Sequence, residues 1–185
     1  VFSILDNTQH FVLNHINLGA EIKGLYRKDI YEIPEVALRE ALVNAIIHRD
    51  YTRLGAVHVR LDDEGLTISN PCGLVEGVTL HNLLTTEPRP RNPALADAMK
   101  RIGLVERSGR GVDLIYRGSL RFGRPQPDYQ RTDTVNVVLT LSTAEADLNF
   151  LKMVVDEESQ RGSQLPIDSL ITLAVLREFR RITSE

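Results

Sequence analysis

The stretch that decides the fold is Glu35-Val-Ala-Leu-Arg-Glu-Ala-Leu-Val-Asn-Ala-Ile-Ile-His48. Within it, Glu40, Asn44 and His48 stand four residues apart, so on an α-helix they form one polar stripe. Leucine, isoleucine, valine and alanine occupy most of the remaining circumference. The pattern predicts a nearly buried helix that opens after Pro34.

Two interpretations of this polar stripe remain open at this point. A carboxylate, an amide and an imidazole in apolar surroundings cost free energy unless something hydrogen-bonds or coordinates them. They are either buried polar groups satisfied by backbone and water, or one wall of a concave pocket that faces a ligand, including a metal-bound ligand.

Composition limits the function classes. A chain of 185 residues with a net charge of −3 offers no general electrostatic attraction to nucleic acid. The lone Cys72 excludes an intrachain disulfide and a zinc–thiolate cluster, and it fits a reducing, cytoplasmic setting. No apolar run is long enough for a membrane span, so we expect no membrane partner. Because the chain begins at Val1, we expect it to be a fragment of a longer protein.

Periodicity predicts an α/β (α+β) domain over residues 1–142. Residues 57–62 and 135–141 alternate as strands do, and residues 62–65 provide hairpin chemistry between residues 57–62 and a partner strand at 66–69. Helices are expected near residues 3–17, 35–48, 93–102 and 111–122, with strands between residues 20 and 33 and a short helix after residue 79.

The character of the sequence changes at Thr143. A helix is expected to start there, followed by a linker at residues 160–163, a second helix at 167–179 and the start of a third at 183–185. Residues 143–185 therefore form either a plain helical extension or the beginning of a truncated, winged-helix-like domain.

Three constellations carry possible chemistry: the helical stripe, the strand end Asn70-Pro-Cys-Gly73, and the segment Glu106-Arg-Ser-Gly-Arg-Gly111 that leads into a helix. A glycine turn after a strand lets the backbone approach a ligand closely. Small residues at a helix N-terminus expose N–H groups that favour a phosphate. Four arginines lie in the two loops that follow the strand end at residues 70–73, where they are either solvated or in contact with phosphate: Arg89, Arg91, Arg107 and Arg110.

In this order, the constellations resemble the GHKL nucleotide-binding fold shared by gyrase, a class of heat-shock chaperones, histidine kinases and MutL. More closely, the chain is similar to a bacterial branch labelled transcriptional regulators or RecG-related ATP-dependent DNA helicases. The resemblance rests on residues 37–51, 68–74, 91–95 and 103–112. It implies a two-layer sandwich, with a mixed sheet covered on one face by helices.

The resemblance also implies roles for individual residues. Glu40 matches the general base that activates water, and Asn44 matches the ligand of a Mg²⁺ that bridges the phosphates of ATP. The other residues that it implies in nucleotide binding are His48, Asn70, Gly73, Arg91, Asn92, Gly109 and Gly111.

Two departures from the family pattern keep a second function open. Asn70 stands where the adenine-binding box carries an aspartate, and Cys72 stands where that box has its first glycine. The leading expectation is an ATP-binding, ATP-hydrolysing module of a DNA-binding regulator or helicase-related protein. The alternative is a non-catalytic interaction or dimerisation domain that keeps the fold without the nucleotide, and a homo-oligomer fits either.

The expected contact with DNA belongs to the full-length protein rather than to this fragment. The chain has a net charge of −3, and near its end only Arg177, Arg180 and Arg181 form a small basic patch. It also lacks the G-x-x-x-x-G-K-[ST] motif of P-loop motors.

Overall fold

The computed structural model describes residues 2–16, 18–23, 26–104 and 111–182. The helices are α1 (Phe2–His15), α2 (Glu35–His48), α3 (Pro93–Arg101), α4 (Gly111–Leu120), α5 (Leu148–Arg161) and α6 (Ile167–Ile182). The strands are β1 (Leu18–Lys23), β2 (Tyr26–Tyr31), β3 (His58–Asp62), β4 (Gly65–Asn70) and β5 (Val137–Leu141). The described part of the chain is therefore a mixed α/β structure, as the periodicity predicts.

Helix α2 lies at the centre of the main core. Eight of its residues are buried, and the carbonyl of Pro34 accepts the first hydrogen bond of the helix from the amide of Leu38 at 3.0 Å. Its apolar side chains pack against α1, against the inner face of the sheet and against α4. The nearly buried helix predicted from the sequence is confirmed.

The described strands pair only in antiparallel fashion, in a β1–β2 hairpin and a three-stranded sheet of order β3-β4-β5. Strands β3 and β4 join through a tight turn, which pairs Asp62 with Gly65. Residues 121–136 carry the chain back to the far end of β4, so Val137 pairs with Asn70 and β5 runs antiparallel to β4. The mixed sheet expected from the sequence is therefore wrong for these strands, because this return connection reverses the chain direction.

Helix α4 links the main core to the C-terminal helices. Its last residue, Leu120, lies in a second apolar cluster with Phe150, Val154, Leu165 and Leu170 of α5, α6 and their connection. The Arg121 guanidinium also reaches the carboxylate of Glu158 at 2.6 Å. The C-terminal helices are thus packed onto the end of α4.

Helix α5 begins at Leu148, so the expected start at Thr143 is wrong. The Asp147 carboxylate accepts hydrogen bonds from the amides of Asn149 and Phe150, which fixes the first turn there. The helix continues through Arg161 and ends at Gly162, whose φ of 67° is left-handed, so the expected linker at 160–163 starts too early. Residues 183–185, where a third helix was expected to start, lie outside the described residues.

Residues 79–92 contain turns and bends in place of the short helix that was expected. Within this segment, the Asn82 side chain accepts from the amide of Thr79 at 2.7 Å and donates to the carbonyl of Gly77 at 3.0 Å. Such local side-chain bonds to the backbone compete with a helix, so the segment forms successive turns. Among the described helices, none is both long and apolar enough to cross a membrane.

Candidate functional site

A cavity of about 360 Å³ opens between α2, the start of α4 and the inner face of β4 and β5. Asn44 and His48 lie on its α2 wall, and Gly111, Val112 and Asp113 contribute the first turn of α4. Its volume falls in the range of small-molecule sites. The polar stripe of α2 is therefore partly a cavity wall, as one of the two interpretations predicted.

Glu40 does not line the cavity. Its side chain is 1% exposed, and Oε1 lies 3.8 Å from the guanidinium of Arg39. The prediction that three polar residues line one wall of a pocket is therefore right for Asn44 and His48 and wrong for Glu40. Glu40 lies deeper, one helical turn before Asn44.

Gly111 is where α4 meets the polar stripe. A Cβ atom at this position would lie 2.8 Å from Oε2 of Glu40 and 3.4 Å from Nδ2 of Asn44, so a larger residue would displace the Glu40 carboxylate. Glycine therefore lets the backbone of the first helical turn approach both groups. Because the first amides of a helix have no intrahelical acceptor, this approach places the N–H groups of that turn near an amide and a carboxylate.

Asn70 bounds the cavity at the end of β4. Its side chain is 3% exposed, and Oδ1 has no hydrogen-bond partner in the described part of the chain. Its neighbours on the same face of the sheet are Ile68, Val137 and Leu139, which also line the cavity. A buried acceptor without a donor is costly, so a donor from a ligand or a water molecule would stabilise this atom.

Beyond Asn70 the chain closes the cavity wall. The Cys72 thiol is buried and donates to the carbonyl of His48 at 3.1 Å, and burial raises its pKa. Gly73 lines the cavity, and a Cβ there would lie 2.8 Å from the carbonyl oxygen of Thr134. Gly73 therefore leaves no room for a larger side chain.

Arg91 and Asn92 bind backbone and do not line the cavity. The Arg91 guanidinium donates to the carbonyl of Gly73 at 3.0 Å. The Asn92 amide donates to the carbonyls of Ile47 and Arg49, each at 2.7 Å, at the C-terminus of α2. These contacts hold the 72–73 turn and the segment after residue 89 against the end of α2. Gly109, with Arg107 and Arg110, lies outside the described residues.

Most of the far wall of the cavity is not predicted from the sequence. Residues from the turn-rich segment 74–89 cover this side of the cavity, and among them only Arg89 had been considered. Tyr129 also lines the cavity, and its burial raises the pKa of its hydroxyl. The available signal was a set of apolar residues within a non-periodic stretch, namely Leu74, Val75, Val78, Leu83 and Leu84.

His48 faces the cavity as a neutral imidazole. Burial, and then the nearby Arg91 guanidinium, holds its pKa below the ordinary value of 6.5. Neutral His48 therefore adds a donor and an acceptor to the wall, and an anionic ligand beside it would raise its pKa.

We expect His48 to make the protein less stable as the pH falls. Its pKa is lower in the folded state than in the unfolded state. At a pH between these two pKa values only the unfolded chain binds the proton. The free energy of unfolding therefore decreases as the pH falls below about 6.5. Denaturant titrations at about pH 7.5 and 5.5 should show a smaller decrease in the free energy of unfolding for His48→Gln than for the wild type. The control variant His81→Gln, at an exposed position, should show the same decrease between the two pH values as the wild type. If His48→Gln also shows the wild-type decrease, the expectation is contradicted.

Among the described residues, no group of three or more histidine, cysteine, aspartate or glutamate side chains is arranged to hold a metal ion.

A family model matches part of the chain, and a solved structure is similar to it. Residues 55–141 match the family model described as "Putative ATP-dependent DNA helicase recG C-terminal". The structure is also similar to that of the DIP2311 protein from Corynebacterium diphtheriae, with a TM-score of 0.74 and 32% sequence identity. That match covers 82% of this chain and 31% of the other, so this chain spans less than a third of that protein. The search of curated proteins found no match.

Proposed function

We propose that the cavity binds ATP together with Mg²⁺, and that the chain is the nucleotide-binding module of a DNA-binding regulator or helicase-related protein. The observation that carries the proposal is the contact of Gly111 with Glu40 and Asn44. It brings a phosphate-binding helix start, a hard oxygen ligand and a carboxylate into one small space. The ATP dependence in the description of the matching family agrees with it.

The residues present fit a magnesium-bound triphosphate. Mg²⁺ usually takes few protein ligands and fills its shell with phosphate oxygens and water, so Asn44 alone is a sufficient contribution from α2. When bound, the ion neutralises charge on the phosphate oxygens. The first amides of α4 donate to the same phosphates, and Gly111 keeps that approach open.

Glu40 is assigned as the general base. Its carboxylate lies one helical turn before Asn44 and against Gly111, next to the position of the terminal phosphate in this proposal. From there it accepts a proton from the attacking water. His48 and Arg89 add polar groups to the cavity wall. Arg91 holds Gly73 in place, and Asn92 holds the end of α2, so these two contacts fix the shape of the wall.

A second function is favoured by the burial of Glu40. A carboxylate that is 1% exposed and does not line the cavity has limited access to water. This arrangement suits a non-catalytic interaction or dimerisation domain that keeps the GHKL-like fold. In both cases we assign DNA contact mainly to the longer protein, because this chain carries a net charge of −3.

The deciding experiment is the stability of the chain with and without Mg²⁺–ATP. A ligand at about 100 times its Kd adds about 2.7 kcal/mol to the free energy of unfolding, which raises the Tm measurably. Mg²⁺ alone, and ATP with a chelator, serve as controls for metal and nucleotide effects. No shift with the Mg²⁺ complex of any nucleoside triphosphate would reject the proposal in favour of the non-catalytic function.

A further inference from the structure

We infer that Asn70 makes this a purine-nucleotide site of relaxed base specificity, which accepts adenine and guanine with comparable affinity. The inference rests on the proposed function, because it concerns the base of the nucleotide placed in the same cavity.

The position of Asn70 supports its contact with a base. On the covered face of β4 and β5 the other side chains are aliphatic: Leu66, Ile68, Val137, Leu139 and Leu141. Asn70 is thus the single polar side chain on this face, and it lies where the face borders the cavity. An aliphatic wall packs against the flat ring of a base and leaves the directional contact to Asn70.

The unsatisfied Oδ1 atom shows what the ligand must supply. It has no partner among the described residues, and the Asn70 side chain is 3% exposed. A ligand that donates to this atom removes the cost of the buried acceptor. The exocyclic amino group of adenine is such a donor.

The same side chain also suits guanine. An asparagine amide carries an acceptor oxygen and a donor NH₂ group, and a half-turn about its last side-chain bond exchanges them. Guanine carries a carbonyl oxygen at the ring position where adenine carries its amino group, and the turned amide donates to that oxygen. A carboxylate at residue 70 accepts only, so it would favour adenine and repel the guanine carbonyl.

The test is the affinity of the full 185-residue chain for Mg²⁺–ATP and Mg²⁺–GTP, measured by calorimetry. For the wild type we expect the two Kd values to agree within about tenfold, since either base satisfies the buried amide. Asn70→Asp should increase the preference for ATP by more than about tenfold, since guanine then faces a charged acceptor. The matched change Asn149→Asp, at an exposed position of α5, should leave the ratio at its wild-type value.

The possible outcomes separate this inference from the proposed function. If the wild type binds one nucleotide more than about tenfold more tightly than the other, the inference is overturned and the proposed function stands. If neither nucleotide binds, both fail. If a folded Asn70→Asp variant keeps the wild-type ratio, Asn70 does not determine specificity, and the inference is again overturned.

Discussion

Glu40→Gln is expected to lower the rate of ATP hydrolysis by about 100-fold or more, because glutamine keeps the shape of the side chain and removes the base. Binding of Mg²⁺–ATP should change by less than about threefold, since the carboxylate lies behind Gly111 and does not line the cavity. The measurements are single-turnover hydrolysis and calorimetric binding. Glu64→Gln, at an exposed position in the β3–β4 turn, is the matched control.

Asn44→Ala is expected to weaken the binding of Mg²⁺–ATP itself. It removes the proposed metal ligand, so binding of Mg²⁺–ATP should weaken by about tenfold, while binding of ATP in the presence of a chelator changes little. Equal losses of Mg²⁺–ATP binding in the two variants would contradict separate roles for base and metal ligand.

Gly118→Val should lower the free energy of unfolding by about 3 kcal/mol. A Cβ atom at Gly118 would lie 2.6 Å from the Cβ of Ala37, so any side chain forces α4 away from α2. Denaturant titration measures the loss. Ala98→Val, at an exposed position of α3, controls for the helix propensity of valine and should cost less than about 1 kcal/mol.

A second variant tests the cause of this loss. Adding Ala37→Gly removes the atom that valine would contact, so the double variant should be more stable than the sum of the two single changes predicts. Simple additivity would mean that the α2–α4 contact is not the source of the destabilisation.

Helix α2 could be predicted from sequence because its apolar residues have the helical period and its three polar residues share one stripe. The position of Asn70 was also visible, because a proline and a glycine break the strand that it ends. The hairpin turn at residues 62–65 predicted the antiparallel pairing of β3 and β4. The direction of β5 was not visible, because side chains alternate in the same way in parallel and antiparallel pairs.

The far wall of the cavity could not be predicted because its segment has no period. Residues 74–89 form turns fixed by local contacts such as those of Asn82, and their apolar side chains face the cavity through tertiary folding alone. The start of α5 was misplaced for a similar reason, since Thr143 and Asp147 are both plausible N-caps. The structure selects Asp147, which also accepts a hydrogen bond from Arg177 of α6 at 3.3 Å.

Helix α4 has one end in each half of the structure. Gly111 touches the polar stripe of α2, and Leu120, nine residues and about 13.5 Å along the axis, lies in the apolar cluster with α5 and α6. If α4 moves as a rigid rod, a displacement of its first turn shifts the surface on which the C-terminal helices rest. Such a linkage is reciprocal. A partner that repositions α5 and α6 would change the affinity of the cavity for its ligand, and the ligand would change the affinity for that partner by the same free energy.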